Sequence, residues 1–415
     1  MAGVAEICTR AAVAAPTVAR LCTQVKNAAL GYMASALDER SDFLVEANAE
    51  DIEKAKSEDI SSTLVDRLRL TDGRIAAMAE GLRSVAAQPD PVGEVLEGWK
   101  RPNGLLVERV RAPLGVVAVI YEARPNVTAD VAGLCLKSGN ACILRGSSIA
   151  TSSNNSIVHV LRAGAARAGA PEDAIQLVGG TDRSSAVELM QAKGYIDLLV
   201  PRGGADLIRS IEENVTVPFI IDGDGNCHVY VDRSADENMA TEIVLNAKTQ
   251  RPSVCNAAET LFVHAELAEK WLPAALDALA DKGVEVRGDQ IVQQLWPDAV
   301  PARDDDWGTE YLDLVLAVRV VESLDEAIDH VNRWGTSNAE AIVTQDVTAA
   351  RRFASEVDSG SIFVNASTRF SDGAEFGYGA EIGISTQKLH ARGPMGLREL
   401  TTTKYVLWGE GQIRH

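Results

Sequence analysis

Leu114 to Tyr121 is an apolar run without a single charged side chain. A strand with one wet face alternates apolar and polar residues. A continuous run is what a parallel strand covered on both faces requires. The run opens a repeating pattern. Helix at 128–137, strand at 141–144, helix at 152–168, strand at 175–178, helix at 183–193, strand at 196–200 and helix at 205–214 follow, then short strands at 219–221 and 228–231. Such alternation predicts a parallel sheet wrapped by helices. Ligands of these sheets bind beyond the carboxyl ends of the strands. The turns to inspect are therefore 122–126, 145–148, 179–182, 201–204 and 222–226.

The flanks read differently. Residues 4–88 carry apolar positions at helical spacing, as in Leu64, Leu68, Ile75, Met78 and Leu82, and Pro89-Asp90-Pro91 ends that block. Asn103-Gly104 between extended segments predicts a hairpin across 98–110. A second α/β unit starts near Asp232. Its strands are expected at 259–263, 284–286, 312–321, 341–344 and 361–365, with helices at 234–247, 266–280, near Gln290, at 324–334 and at 349–357. A glycine-rich loop at 373–396 leads to an extended segment at 400–408.

Composition narrows the function classes. The chain has 415 residues and a net charge of −19. That field disfavours nucleic acid and anionic membranes as partners, while a local cluster of Arg and Lys still suits a small anion. Cysteines at 8, 22, 135, 142, 227 and 255 form no C-x-x-C pair and no zinc spacing, so no metal is expected. The N-terminal residues lack the basic-then-apolar pattern of a signal peptide, and no apolar run has membrane-spanning length. The expectation is a cytoplasmic protein in a reducing compartment.

Four stretches carry candidate chemistry. In Lys248-Thr249-Gln250-Arg251-Pro252-Ser253-Val254-Cys255-Asn256, a cysteine follows a proline-broken turn, and cations nearby in sequence favour its thiolate. The same stretch also describes a buried cysteine acting as a small apolar side chain. Arg145-Gly146-Ser147-Ser148 and Pro201-Arg202-Gly203-Gly204 are Arg/Gly turns after strands. Both suit phosphate, and an arginine suits the 2′-phosphate of NADP; plain strand-to-helix turns remain the alternative. In Tyr121-Glu122-Ala123-Arg124-Pro125-Asn126, Asn126 is either an amide donor to an oxyanion or a turn residue after proline. Arg369, following Asn365 at a strand end, suits a carboxylate or simply the surface. The G-x-G-x-x-G fingerprint is absent: Gly223-x-Gly225 has His228 where the third glycine belongs.

Taken together, these segments resemble the aldehyde dehydrogenase superfamily over nearly the whole chain. The carrying motifs are 109–116, Tyr121 to Thr128, 136–146, 199–204, Gln250 to Asn256, 390–397 and 400–405. The resemblance implies a Rossmann-type cofactor domain at 1–94 and 114–231, an α/β catalytic domain at 232–398, and a small β oligomerisation element at 95–113 and 399–415. It places Cys255 on the nucleophile and Asn126 on the oxyanion donor. Arg145, Ser147, Pro201, Arg202, Gly203, Gly204 and Glu310 fall on the NADP side, with Glu310 on the nicotinamide ribose. Arg124, Arg251, Ser253, Asn365 and Arg369 fall on the substrate side. A homo-oligomer is implied.

One departure is informative. Hydrolytic members carry a glutamate ahead of the cysteine, in a Glu-Leu-Gly-Gly-Lys-like motif, that activates water. Here the region reads Ile221-Asp222-Gly223-Asp224-Gly225-Asn226-Cys227-His228. An enzyme exchanging its acyl group with phosphate needs no such base, and water would waste the intermediate. The implied activity is NADPH-dependent reduction of L-glutamate 5-phosphate to the semialdehyde through a cysteine thioester. The acyl phosphate would come from a separate glutamate 5-kinase. The alternatives are another semialdehyde dehydrogenase or a non-catalytic dinucleotide-binding protein of the same fold.

Overall fold

The computed structural model describes residues 3–179, 182–221 and 223–414. Gly180, Thr181 and Asp222, which belong to two of the expected strand-end turns, lie outside the described residues. The chain divides into two compact units. One comprises Met1–Ile221, Gly377–Gly383 and Met395–His415; the other comprises Asp222–Phe376 and Ile384–Pro394.

The first unit begins with the helices α1 (Val4–Val18), α2 (Thr23–Glu39), α3 (Ser41–Ser57), α4 (Ser62–Leu68) and α5 (Asp72–Ala87). Thr71 accepts the Arg74 N–H and fixes the start of α5. The hairpin forms as expected: β1 (Val95–Lys100) pairs antiparallel with β2 (Leu106–Pro113). Gly104 supplies the positive φ, 92°, that its turn demands. Then come β3 (Val116–Tyr121), α6 (Pro125–Lys137), β4 (Ala141–Arg145), α7 (Thr151–Ala166), β5 (Ile175–Leu177), α8 (Arg183–Met190), β6 (Leu198–Arg202) and α9 (Ala205–Asn214). The sheet is parallel, in the order β5-β4-β3-β6. Every residue of β3 is buried, which explains its continuous apolar run. Ile7, Cys8, Ala11 and Ala15 of α1 pack with Val116, Ala118, Ile120, Ile143 and Leu199 of the sheet. The expected strand at 219–221 is reduced to one bridge between Phe219 and Leu199.

The second unit contains β7 (Cys227–Val231), α10 (Glu237–Thr249), β8 (Ala258–His264), α11 (Ala265–Ala280), β9 (Glu285–Gly288), α12 (Gln290–Leu295), β10 (Val300–Pro301), β11 (Val315–Val321), α13 (Leu324–Trp334), β12 (Ala339–Val343), α14 (Val347–Glu356), β13 (Ser361–Val364), β14 (Ile384–Ser385) and β15 (Gly393–Pro394). Its seven-stranded parallel sheet runs β10-β9-β11-β8-β7-β12-β13. One apolar cluster joins this sheet to Trp271, Leu272 and Leu276 of α11. Another joins Tyr230 and Phe262 to Ile328, Val331 and Phe353 of α13 and α14. The domain boundary expected at 231/232 falls at 221/222, because β7 pairs with β8 and β12 rather than with the first sheet. The last strand, β16 (Thr401–Trp408), returns to the first unit and pairs antiparallel with β2.

Candidate active site

Cys255 lies in the second unit, half-buried, on the loop between α10 and β8. Hydrogen bonds pin that loop. Asn256 Nδ2 donates to the Ser371 carbonyl at 2.8 Å, and Thr368 Oγ1 donates to the Asn256 carbonyl at 2.7 Å. The Cys227 thiol donates to the Cys255 carbonyl at 3.2 Å. Burial pushes that Cys227 thiol well up, so it stays protonated as a donor. The Gly225 N–H in turn donates to Glu310 Oε1 at 2.8 Å. Glu310, expected to hold a ribose, thus also fixes the backbone beside the cysteine loop.

Lys248, close by in sequence, is fully buried and paired with Glu259 at 2.5 Å. Burial pulls Lys248 down and pushes Glu259 up to about 7, so neither is available to activate Cys255. Arg369, from far downstream, has an electrostatic link to the thiol. Burial lowers its pKa, while Asp372 and Cys255 raise it. Its Nε donates to Gln250 Oε1 at 2.9 Å. A guanidinium remains charged across the working pH range, so Arg369 favours the Cys255 thiolate. Arg251 is exposed and Ser253 half-buried in the same loop.

Asn365, expected on the substrate side, has a structural task at the strand ends. It sits at φ 56°, and its side chain closes on one backbone group pair. Oδ1 accepts the Thr344 N–H and Nδ2 donates to the Thr344 carbonyl, both at 2.9 Å. Its amide holds the ends of β12 and β13 together. The fold also reveals what sequence reading missed in Gly225, Cys227 and Glu259. The Gly223-x-Gly225 pair, a poor dinucleotide fingerprint, was the available signal for close backbone approach.

In the first unit the residues assigned to phosphate sit at strand ends. Arg145, half-buried, closes β4. Its Nη2 donates to the Asp182 carbonyl at 3.1 Å, burial lowers its pKa, and its Nε is buried without a partner among the described residues. Gly146 and Ser147 follow. A β-carbon on Gly146 would stand 2.1 Å from Asn154 Nδ2, which is itself buried and without a partner among the described residues. Pro201 and Arg202 end β6, and Gly203 and Gly204 lead into α9. Orphaned donors beside side-chain-free turns fit a phosphate-bearing dinucleotide.

Arg124, half-buried, precedes α6, and Pro125 occupies the first turn of that helix. Asn126 is exposed and donates through Nδ2 to Asp130 Oδ2 at 3.1 Å. Burial pushes Asp130 up to about 6, against the Asn126 hydrogen bond and the Arg202 charge. Among the described residues no cluster suited to a metal ion is found, and no helix is long and apolar enough to cross a membrane.

Comparison with known proteins places these features in a family context. The aldehyde dehydrogenase family model matches residues 2–293 and 298–406. A gamma-glutamyl phosphate reductase from Moorella thermoacetica is 57% identical over 405 residues, spanning 98% of this chain and 97% of the relative. The crystal structure of a gamma-glutamyl phosphate reductase from Thermotoga maritima superposes with a TM-score of 0.97 at 46% identity, covering 100% of both chains. An engineered glycolyl-CoA reductase with bound NADP+ shares the fold, with a TM-score of 0.68 at 16% identity over 98% of this chain and 96% of that one.

Proposed function

The chain belongs to the aldehyde dehydrogenase family, and we propose that it is the member that reduces L-glutamate 5-phosphate to L-glutamate 5-semialdehyde with release of phosphate, in proline biosynthesis. It is an oxidoreductase, and its relatives are gamma-glutamyl phosphate reductases. The observation that carries the reading is the Cys255 loop: a half-buried cysteine with its carbonyl locked in place and a guanidinium electrostatically linked to its thiol.

In this reading the Cys255 thiolate attacks the γ-acyl carbon, the C–O bond to phosphate breaks, and a thioester forms. Covalent catalysis divides one hard displacement into two easier steps. The Cys255 backbone N–H and the Asn126 amide supply the oxyanion donors. Arg369, with Arg124, Arg251 and Ser253, holds the anionic substrate. Arg145, Ser147, Pro201, Arg202, Gly203, Gly204 and Glu310 hold NADPH. When bound, NADPH supplies the hydride that turns the thioester into the aldehyde. No glutamate stands at 223–228 to activate water, which protects the acyl group for phosphate exchange. The protein works in the cytoplasm as a homo-oligomer, functionally coupled to a separate glutamate 5-kinase.

The test runs the reaction backwards, because the acyl phosphate is unstable. Glutamate semialdehyde, phosphate and NADP are mixed with enzyme, and reduced nicotinamide is followed by absorbance. Phosphate-dependent reduction, abolished in Cys255→Ala, is expected. Reduction without phosphate would instead indicate a hydrolytic dehydrogenase. Full turnover by Cys255→Ala would remove the thioester from the reaction.

A further inference from the structure

The order β5-β4-β3-β6 means that the chain moves outward from β3 through β4 to β5 and then returns to β6 on the far side of β3. The carboxyl ends of β3 and β6 therefore flank the switch point, where loops leave in opposite directions and open a crevice. Glu122 follows β3, and Gly203 and Gly204 follow β6. The two ends are joined, with the Glu122 N–H donating to the Arg202 carbonyl at 3.1 Å.

The Glu122 side chain lies across the crevice. Its Oε1 accepts the Gly204 N–H at 2.9 Å. A β-carbon on Gly203 would stand 2.9 Å from both Cγ and Oε1 of Glu122, so the side chain rests directly on this glycine. Gly204 is the N-cap of α9 and has no side chain to cap it. Glu122, just past β3, accepts the N–H of the N-cap residue itself, as the carboxylate of a capping box does. An anion at a helix N-terminus is also what a nucleotide phosphate would be.

We propose that Glu122 is an internal competitor of the cofactor: its carboxylate occupies the phosphate seat of the Pro201–Gly204 turn, and a dinucleotide binds there by displacing it. The inference rests on the reading of that turn as phosphate-facing. One N–H cannot serve a carboxylate and a phosphate together, and two anions at hydrogen-bonding distance repel. The displaced side chain must swing away by a change of rotamer. In the empty protein the carboxylate satisfies the helix end; as the cofactor phosphate lifts from the seat the carboxylate re-enters it, which speeds departure. Glu122 thereby sets how tightly the dinucleotide is held.

The test compares wild type, Glu122→Gln and Glu122→Ala by titration with NADPH, read as nucleotide fluorescence, and by stopped-flow release of NADPH. Removing the charge should lower Kd about tenfold and slow release by a similar factor in both variants. An unchanged Kd in both variants would reduce Glu122 to a helix cap. A raised Kd would make it a cofactor ligand. Either result overturns competition while leaving the dinucleotide reading intact, since wild type still binds. Failure of all three proteins to bind NADPH would overturn that reading, and the competition with it.

Discussion

Gly225 and Cys255 touch backbone to backbone: a β-carbon on Gly225 would stand 1.7 Å from the Cys255 carbonyl oxygen and 2.6 Å from its Cα. No side chain fits such a gap, so residue 225 must be glycine for the Cys255 loop to lie where it does. Gly225→Ala should push the Cys255 loop away and lower kcat by about a hundredfold, the scale on which a displacement near 1 Å acts. Iodoacetamide alkylation of Cys255 should change rate in parallel. A variant with wild-type kcat would show that the loop position is not what limits turnover.

The two ends of that loop are tied by the buried Lys248–Glu259 pair, and the other Glu259 oxygen accepts the Leu312 N–H at 3.2 Å. Lys248→Met would strand a buried carboxylate, a change that costs about 3–5 kcal/mol. Removing both charges, as Lys248→Met with Glu259→Leu, should recover most of the loss. Glu259 already stands near 7 because burial favours its protonated form. The single variant should therefore be less damaged at pH 5.5 than at pH 8.5, where the stranded group must ionise. Urea unfolding of the three proteins at both pH values measures this.

The sequence made the sheets legible where strands are buried on both faces. Leu114 to Tyr121 could be little else once helices flanked it, and Asn103-Gly104 announced its hairpin. Which sheet a strand joins was not legible. Cys227–Val231 has the same short apolar character as the strands of the first unit, and only its pairing with β8 and β12 assigns it to the second. Within the site, Cys255 stood out by its loop, but its electrostatic partner did not. Lys248 is nearer in sequence, yet its place in the last turn of α10 directs it to Glu259. Arg369 comes from a hundred residues downstream, beyond the reach of local pattern. Asn365 entered through the family resemblance alone; its left-handed backbone and its closure on Thr344, which local pattern did not show, give it a structural task.

His330 gives the fold an acid limit. It is buried against Phe262, with ring centroids 4.7 Å apart, and Trp307, at 5.5 Å. Its Nδ1 takes a hydrogen bond from Arg319 Nη1 at 3.2 Å, which requires a neutral ring. Burial, then His228 and Arg319, lower its pKa from 6.5 to about 3. The unfolded chain therefore binds a proton that the folded chain refuses between these values. Stability from this site is complete above pH 6.5 and lost as pH falls toward 3, with a slope of up to about 1.4 kcal/mol per pH unit. Raised carboxyls such as Asp130 slope the other way. His330→Gln should flatten the fall in Tm between pH 7 and pH 5; an unaltered slope would locate the acid limit elsewhere.

The three-stranded sheet of β1, β2 and β16 leaves Tyr405, Leu407 and Trp408 more than half exposed, with the Trp99 and Tyr405 rings in edge contact at 6.3 Å. Apolar groups of this size, clustered on paired strands, suit a subunit contact. Tyr405→Glu with Leu407→Glu should yield a lighter species in analytical ultracentrifugation while leaving the Tm of the residual fold measurable. An unchanged mass would exclude this sheet as a subunit contact.

Asn126 provides the sharpest separation of chemistry from binding. Its side chain is exposed and makes its hydrogen bond to Asp130 within one helical turn, so truncating it disturbs little packing. Asn126→Ala should lower kcat about a hundredfold or more, as loss of an oxyanion donor does elsewhere, with KM and Tm nearly unchanged. Asp130→Asn keeps the Asn126 amide but changes its acceptor. It should lower kcat less, and it should remove the ionisation that burial has raised to about 6. Because that raised value makes the folded protein bind a proton the unfolded chain releases, the native Asp130 weakens the fold as pH rises from 4 to 6. Asp130→Asn should consequently stabilise the protein by up to about 3 kcal/mol at pH 8 and have no such effect at pH 4. Turnover and thermal unfolding of both variants at pH 8 would decide it: equal loss of kcat in the two would mean that Asn126 acts by shaping the helix start rather than by donating to the oxyanion.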